Sequence, residues 1–211
     1  DTVTGGAGAD SLFGNEGADL VLGGDGGDRV DGGEDGDDVN GNGGDDVVHG
    51  GAGADFVRGG QGDDRVFGDD GDDRHVNGNL GDDYVDGGAG NDTLHGGAGA
   101  DTLVGGDGDD RISGDLGDDV LVAGSGADVF VFASGHGADV IEEFSEASAR
   151  IEIEAGINGT DIADFATLVA RAADVAPPGQ PGVFIDLGEG NSLVVAGLSK
   201  AQLQADDFLF V

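Results

Sequence analysis

Residues 1–131 repeat one nine-residue phrase fourteen times, and a period that short leaves few folds open. One copy reads Gly96-Gly97-Ala98-Gly99-Ala100-Asp101-Thr102-Leu103-Val104. The copies begin at Gly5, Gly14, Gly23, Gly32, Gly41, Gly50, Gly59, Gly68, Gly78, Gly87, Gly96, Gly105, Gly114 and Ala123. Only Gly68–Asn77 has ten residues. A unit this small buries its apolar face only by stacking on its neighbours, so the chain reads as a solenoid.

Each column of the repeat has its own chemistry. Column six is Asp throughout: Asp10, Asp19, Asp28, Asp37, Asp46, Asp55, Asp64, Asp73, Asp83, Asp92, Asp101, Asp110, Asp119 and Asp128. Column eight is always apolar, from Leu12 to Phe130. Column two admits only Gly, Asn (Asn15, Asn42, Asn79) and Asp (Asp69, Asp115), the residues that best tolerate positive φ. Each copy therefore reads as a six-residue turn and a three-residue strand with one side chain inward, two copies making one coil. Parallel strands about 4.8 Å apart, with right-handed crossovers, give a rod roughly 34 Å long.

Stacking places the column-six carboxylates of copies n and n+2 one above the other. Like charges at ~4.8 Å repel by nearly 1 kcal/mol per pair even in water. The inward residues form a thin core against backbone ordering of about 1–2 kcal/mol per residue. Such a fold requires a counter-ion. The donors are hard oxygens; cysteine is absent, and His49, His75, His95 and His136 have no zinc spacing. Flexible all-oxygen sites suit Ca²⁺ better than Mg²⁺.

These columns resemble the repeats-in-toxin (RTX) nonapeptide, Gly-Gly-x-Gly-x-Asp-x-apolar-x, a Ca²⁺-binding β-helix repeat. The resemblance implies an all-β, right-handed parallel β-roll with Ca²⁺ held between copies n and n+2, about 12 sites over fourteen copies. In the calcium-free state such an acidic, glycine-rich tract is expected to be disordered. Two copies stand out. Asp35 replaces a turn glycine and is expected to distort the site of Asp37. The extra residue of the ten-residue copy is expected to bulge beside Asp73, leaving His75 solvated.

After Val131 the grammar changes, dividing the chain into a roll, 1–131, and a C-terminal capping and secretion-signal region, 132–211. Ser134–Ile141 is a degenerate fifteenth copy in which Asp139 can close a last site against Asp119, with His136 at the surface. Thr160 or Asp161 is expected to cap a helix with Ile162, Phe165, Leu168, Val169 and Ala172 on one face. A loop over 177–182, strands over 183–187 and 192–196, a short helix capped by Ser199 and a strand over 208–211 complete a small α+β cap. Gly137-Ala138-Asp139-Val140-Ile141 and the ending Asp206-Asp207-Phe208-Leu209-Phe210-Val211 resemble the C-terminal region of serralysin-type secreted proteins, although Glu142-Glu143 departs from the Asp usual before Phe. That resemblance implies an uncleaved signal for type I secretion machinery.

The 45 acidic and 8 basic residues give a net charge of −37, and no basic track suits nucleic acid or an anionic membrane. Twelve bound Ca²⁺ leave roughly −13. No apolar run suits membrane insertion. No metalloprotease helix, nucleophile elbow or phosphate loop is present, so the reading is not an enzyme. Asp45/Asp46 and Asp63/Asp64 follow from the repeat rather than forming glycosidase pairs. Asp1 falls in column six of an earlier copy, which reads as a fragment of a longer protein. The function expected is a calcium-dependent folding and type I secretion module of an extracellular, secreted or cell-surface bacterial protein. Alternatives are a calcium-rigidified spacer or glycan-binding module of an adhesin, surface-layer or biofilm protein, or the C-terminal module of a protease, lipase or epimerase.

Overall fold

A computed structural model describes residues 1–145, 148–175 and 182–211. One strand recurs per copy, from β1 (Thr2–Ala7) and β2 (Ser11–Glu16) to β14 (Val120–Ser125) and β15 (Val129–Phe132). Odd-numbered strands stack into one parallel sheet and even-numbered strands into another, so consecutive copies alternate between sheets. The register is one coil: Val3 pairs with Val21, and Leu12 with Val30. This is the parallel β-roll that the period implies.

Column eight fills the space between the sheets. Val21, Val30, Val39, Val48 and their successors to Phe130 are fully buried, and only Leu12 in the first copy reaches 9% exposure. The strands are longer than the three residues expected, because hydrogen bonding continues through columns one to three. Pairing skips column one, as between Asp86↔Val104 and Gly88↔Gly106, so each six-residue strand is bent at its fourth residue. The bend depends on column two. All five of its non-glycine residues, Asn15, Asn42, Asp69, Asn79 and Asp115, have φ between 64° and 79°. A side chain able to tolerate the left-handed region is what this corner demands.

The sheets run on beyond the repeats. β16 (Ala138–Glu142) pairs with β14, and β17 (Arg150–Ile153) with β15. β21 (Phe208–Phe210) closes the ten-stranded sheet against β17. The eleven-stranded sheet continues from β16 to β20 (Asn191–Ala196), then turns antiparallel through β19 (Gly182–Gly188) to β18 (Ala172–Val175). The β19–β20 hairpin turns at Glu189 and Gly190, both at positive φ (52° and 89°), as a tight hairpin needs.

The cap differs from expectation at its helix. Helix α1 is Phe165–Ala170, capped by Asp164, whose carboxylate accepts from the Thr167 N–H at 2.9 Å. Ile162 is buried but precedes the helix, and Ala172 opens β18, a strand not anticipated. Competing β18–β19 pairing ends the helix after six residues. Ser199 does stand at the N-cap of a turn, the short 3-10 segment Lys200–Gln202, where its N–H donates to Gln202 Oε1 at 3.1 Å. The loop expected over 177–182 lies outside the described residues, except for Gly182, which begins β19.

Candidate metal centre

Column six follows each turn; its backbone bonds to the following coil and its side chain to the preceding one. The Asp10 N–H donates to Asp28 Oδ1 at 2.8 Å, Asp19 to Asp37 at 2.8 Å and Asp28 to Asp46 at 2.7 Å. The bond recurs along both ladders to Asp110→Asp128 at 3.0 Å and Asp119→Asp139 at 3.0 Å. Each carbonyl accepts from column seven of the same neighbouring coil, as Asp10 does from the Arg29 N–H at 3.0 Å. One ladder thus runs Asp10, Asp28, Asp46, Asp64, Asp83, Asp101, Asp119, Asp139. The other runs Asp19, Asp37, Asp55, Asp73, Asp92, Asp110, Asp128.

The second oxygen is left over. Oδ2 is buried without a hydrogen-bond partner in every one of these residues except Asp128. Burying a carboxylate oxygen unpaired is costly unless a cation answers it. Glycine in column one makes the cradle, letting that oxygen and a carbonyl of the following coil come together where a side chain would clash. A Cβ on Gly23 would lie 2.6 Å from Asp28 Oδ2 and 2.4 Å from the Gly41 carbonyl oxygen, and Gly5, Gly32, Gly87 and Gly96 repeat that cradle. The exception is Ala123, in the copy of Asp128, where the ladder ends. Among the described residues no three His, Cys, Asp or Glu side chains converge as a metal cluster. The available donors are therefore stacked carboxylates and backbone carbonyls, a hard-oxygen set that fits Ca²⁺.

The electrostatics agree. Burial first, then neighbouring carboxylates (the preceding ladder residue for Asp46 and Asp55, outer aspartates such as Asp63, Asp72 and Asp118 for the others), push Asp46, Asp55, Asp83, Asp92 and Asp119 up to about 6. Asp64, Asp101 and Asp110 are pushed up to about 7, and Asp73 and Asp139 to about 8. The backbone N–H bond at Oδ1 opposes the rise without cancelling it. The ion-free fold therefore disfavours the charged form of these carboxylates, which a bound cation would restore.

Several residues sit where the sequence did not put them. Asp35 adopts φ 76° and leaves the Asp19–Asp37 bond regular, so the ladder is undisturbed there: Asp takes the left-handed turn in place of Gly. His75 is half-buried rather than solvated, because the extra residue is taken up at Arg74 and His75 pairs with Phe56. His136 is buried (6% exposed), not superficial, with its ring 6.1 Å from that of Phe132. Column five was missed. Asp45 Oδ1 accepts from the Asp63 N–H at 3.1 Å, and Asp63 Oδ1 from the Asp82 N–H at 3.0 Å. These outer carboxylates bond towards the following coil, column six towards the preceding one. The available signal was that column five holds only Asp, Asn, Ala or Gly.

The sequence pattern of the RTX calcium-binding nonapeptide repeat (4 copies) matches residues 1–30, 40–74, 75–103, 95–130 and 104–138. The chain belongs to the RTX calcium-binding repeat family. The RTX matches carry every column-six residue except Asp37, and stop one residue before Asp139. Among solved structures, the AlgE6R3 subunit of the Azotobacter vinelandii mannuronan C5-epimerase is 27% identical, with a TM-score of 0.47, covering 61% of this chain and 77% of that one. The extracellular lipase LipA of Serratia marcescens is 20% identical, with a TM-score of 0.39, covering 93% of this chain and 40% of that one. No curated protein matches the chain. Among the described residues no helix is long and apolar enough to cross a membrane.

Proposed function

We propose that this chain is a calcium-dependent folding and secretion module of a larger extracellular protein. It stays unfolded where Ca²⁺ is scarce and folds outside the cell, where Ca²⁺ is abundant enough for weak sites. The observation that carries this reading is the row of buried, unpartnered Oδ2 atoms beside glycine cradles. Column-six carboxylates, with carbonyls of the adjoining turns, would hold the ions. Calcium supplies the positive charge that lets the two ladders close.

Residues 1–131 serve in this reading as the calcium-responsive roll and 132–211 as cap and export signal. The boundary is functional, since both sheets pass through it. Regular copies supply about 12 sites, and Asp119 with Asp139 supplies one more at the cap. Native mass spectrometry in calcium tests this: about 12 or 13 bound ions support the reading, and one or two would overturn it.

A further inference from the structure

Two irregularities of the repeat meet at one place on the outer face of the ten-stranded sheet. The first is the extra residue at Arg74, which sets His75 outward at the start of β9 (His75–Leu80), opposite Phe56. The second is Asp115 in β13 (Arg111–Leu116), held at φ 64° where most copies use glycine. Between them, in β11 (Thr93–Ala98), lies His95. Its Nδ1 is 2.9 Å from Asp115 Oδ2, and Ser113 Oγ donates to Asp115 Oδ1 at 2.7 Å. The His75 and His95 rings are 5.3 Å apart, centroid to centroid.

We infer that His75 and His95 form a binding site for a borderline divalent metal such as Zn²⁺, Ni²⁺ or Cu²⁺, separate from the oxygen ladders. Two imidazoles on one tetrahedral Zn²⁺, with Zn–N bonds of about 2 Å, place their ring centroids about 5 Å apart. Asp115 takes Nδ1 of His95 and so leaves Nε2 for the metal, the usual carboxylate–histidine support. His75 Nε2 lies 3.2 Å from the Asn77 amide, a side chain that can swing aside. Arg58, which pairs across the sheet with Asn77, is a nearby cation. Arg58 is itself paired with Asp38, which limits its repulsion of a cation. No third such side chain completes a cluster among the described residues, so water fills the remaining positions and the site is weak and exchangeable. Imidazole ligands suit these metals and not Ca²⁺, so ladders and pair do not compete.

The pair exists only in the folded roll, because coil stacking is what brings residues 75 and 95 together. The inference therefore rests on the calcium-folding reading, and its test is run in excess Ca²⁺ with folding checked separately by circular dichroism. Zn²⁺ titrations of the full chain by calorimetry, with imidazole nitrogen shifts by NMR, compare wild type with His75→Gln, His95→Gln, Asp115→Asn and His49→Gln. His49 is the control: it has the same aspartate support, from Asp69 at 2.9 Å, but stacks on Phe67 instead of a second histidine. Expected are one Zn²⁺ with shifts at both His75 and His95, roughly tenfold or greater losses for the first three variants, and no change for His49→Gln. Undiminished binding in folded His75→Gln and His95→Gln, or an equal loss in His49→Gln, would overturn it. Should a variant fail to fold, the wild-type shifts decide alone: Zn²⁺ must move both rings together. A chain that never folds in calcium would instead sink the proposed function.

Discussion

The Asp46 N–H donates to Asp64 Oδ1 at 2.8 Å, while Asp64 Oδ2 is buried without a partner. One carboxylate thus stitches two coils with one oxygen and holds the other in reserve. Asp10, in the first copy, is only half-buried, and its bonds to the roll are made by its backbone, N–H to Asp28 and carbonyl from Arg29.

The first prediction follows from that difference. Asp64→Ala leaves the buried Asp46 N–H unsatisfied, costing about 1–3 kcal/mol in addition to the lost ion, and nearest-neighbour coupling spreads the damage. Asp10→Ala should only fray the end. Calcium titrations of the two variants should show a clearly higher midpoint and lower cooperativity for Asp64→Ala. Equal losses would argue against a stack of coupled coils.

Acid should replace calcium. Ten column-six carboxylates, Asp46, Asp55, Asp64, Asp73, Asp83, Asp92, Asp101, Asp110, Asp119 and Asp139, are raised to about 6 to 8 in the ion-free fold, above the ordinary 3.8. A raised carboxylate pKa favours the fold in its protonated form. That contribution is complete below pH 3.8 and is lost as pH rises through 6 to 8. Metal-stripped protein should therefore gain β-structure between pH 8 and 4.5, and calcium folding should need more Ca²⁺ as pH falls below 7. Dilute samples avoid precipitation near the sequence pI of 4.1. A chain equally disordered at both pH values would show that carboxylate repulsion is not the barrier.

Much of this was legible in the chain. Column eight is the core and column six is the ladder, because a nine-residue period leaves each column a single environment. Column two announced its left-handed backbone through Asn15, Asn42 and Asp69. Legibility failed where an environment is made by contacts between coils or with the cap. His136 looked superficial because its burial comes from Phe132 and the cap junction, where Gly135 and Gly137 donate to Asn158 and Asn191. Column five went unread because its bonds cross to another coil. The α1 helix was overestimated because β18 takes Ala172 by pairing it with Ile185.

The third prediction concerns the cap. β17 and β20 continue the two sheets, carrying the core onward through Ile151 and Leu193. They offer a preformed platform on which the last coils can stack, lowering the cost of the first one. Removing residues 132–211 should abolish or strongly weaken calcium-induced folding. Removing 1–30 should shorten the roll and reduce the ion count. Folding of the capless roll at an unchanged Ca²⁺ concentration would make the cap a passenger.

The fourth prediction separates export from packing at the C-terminus. Phe208 is buried, with its ring 5.8 Å from that of Phe165, so deleting 206–211 damages the cap as well as any signal. Leu209 and Val211 are 51% and 61% exposed. Leu209→Asp with Val211→Asp should leave calcium folding within about 0.5 kcal/mol, as surface changes usually do, yet lower export through a matching type I system. Unchanged export would reduce this segment to an edge strand.

The central claim, that calcium closes the column-six ladders, is tested most directly by far-ultraviolet circular dichroism of the whole chain at pH 7.5 during a Ca²⁺ titration from chelator to millimolar. The account predicts a disordered signal in chelator, a cooperative rise of β-structure with Ca²⁺, and no such rise with Mg²⁺ at the same concentration. A full β-signal in chelator at that pH would contradict it.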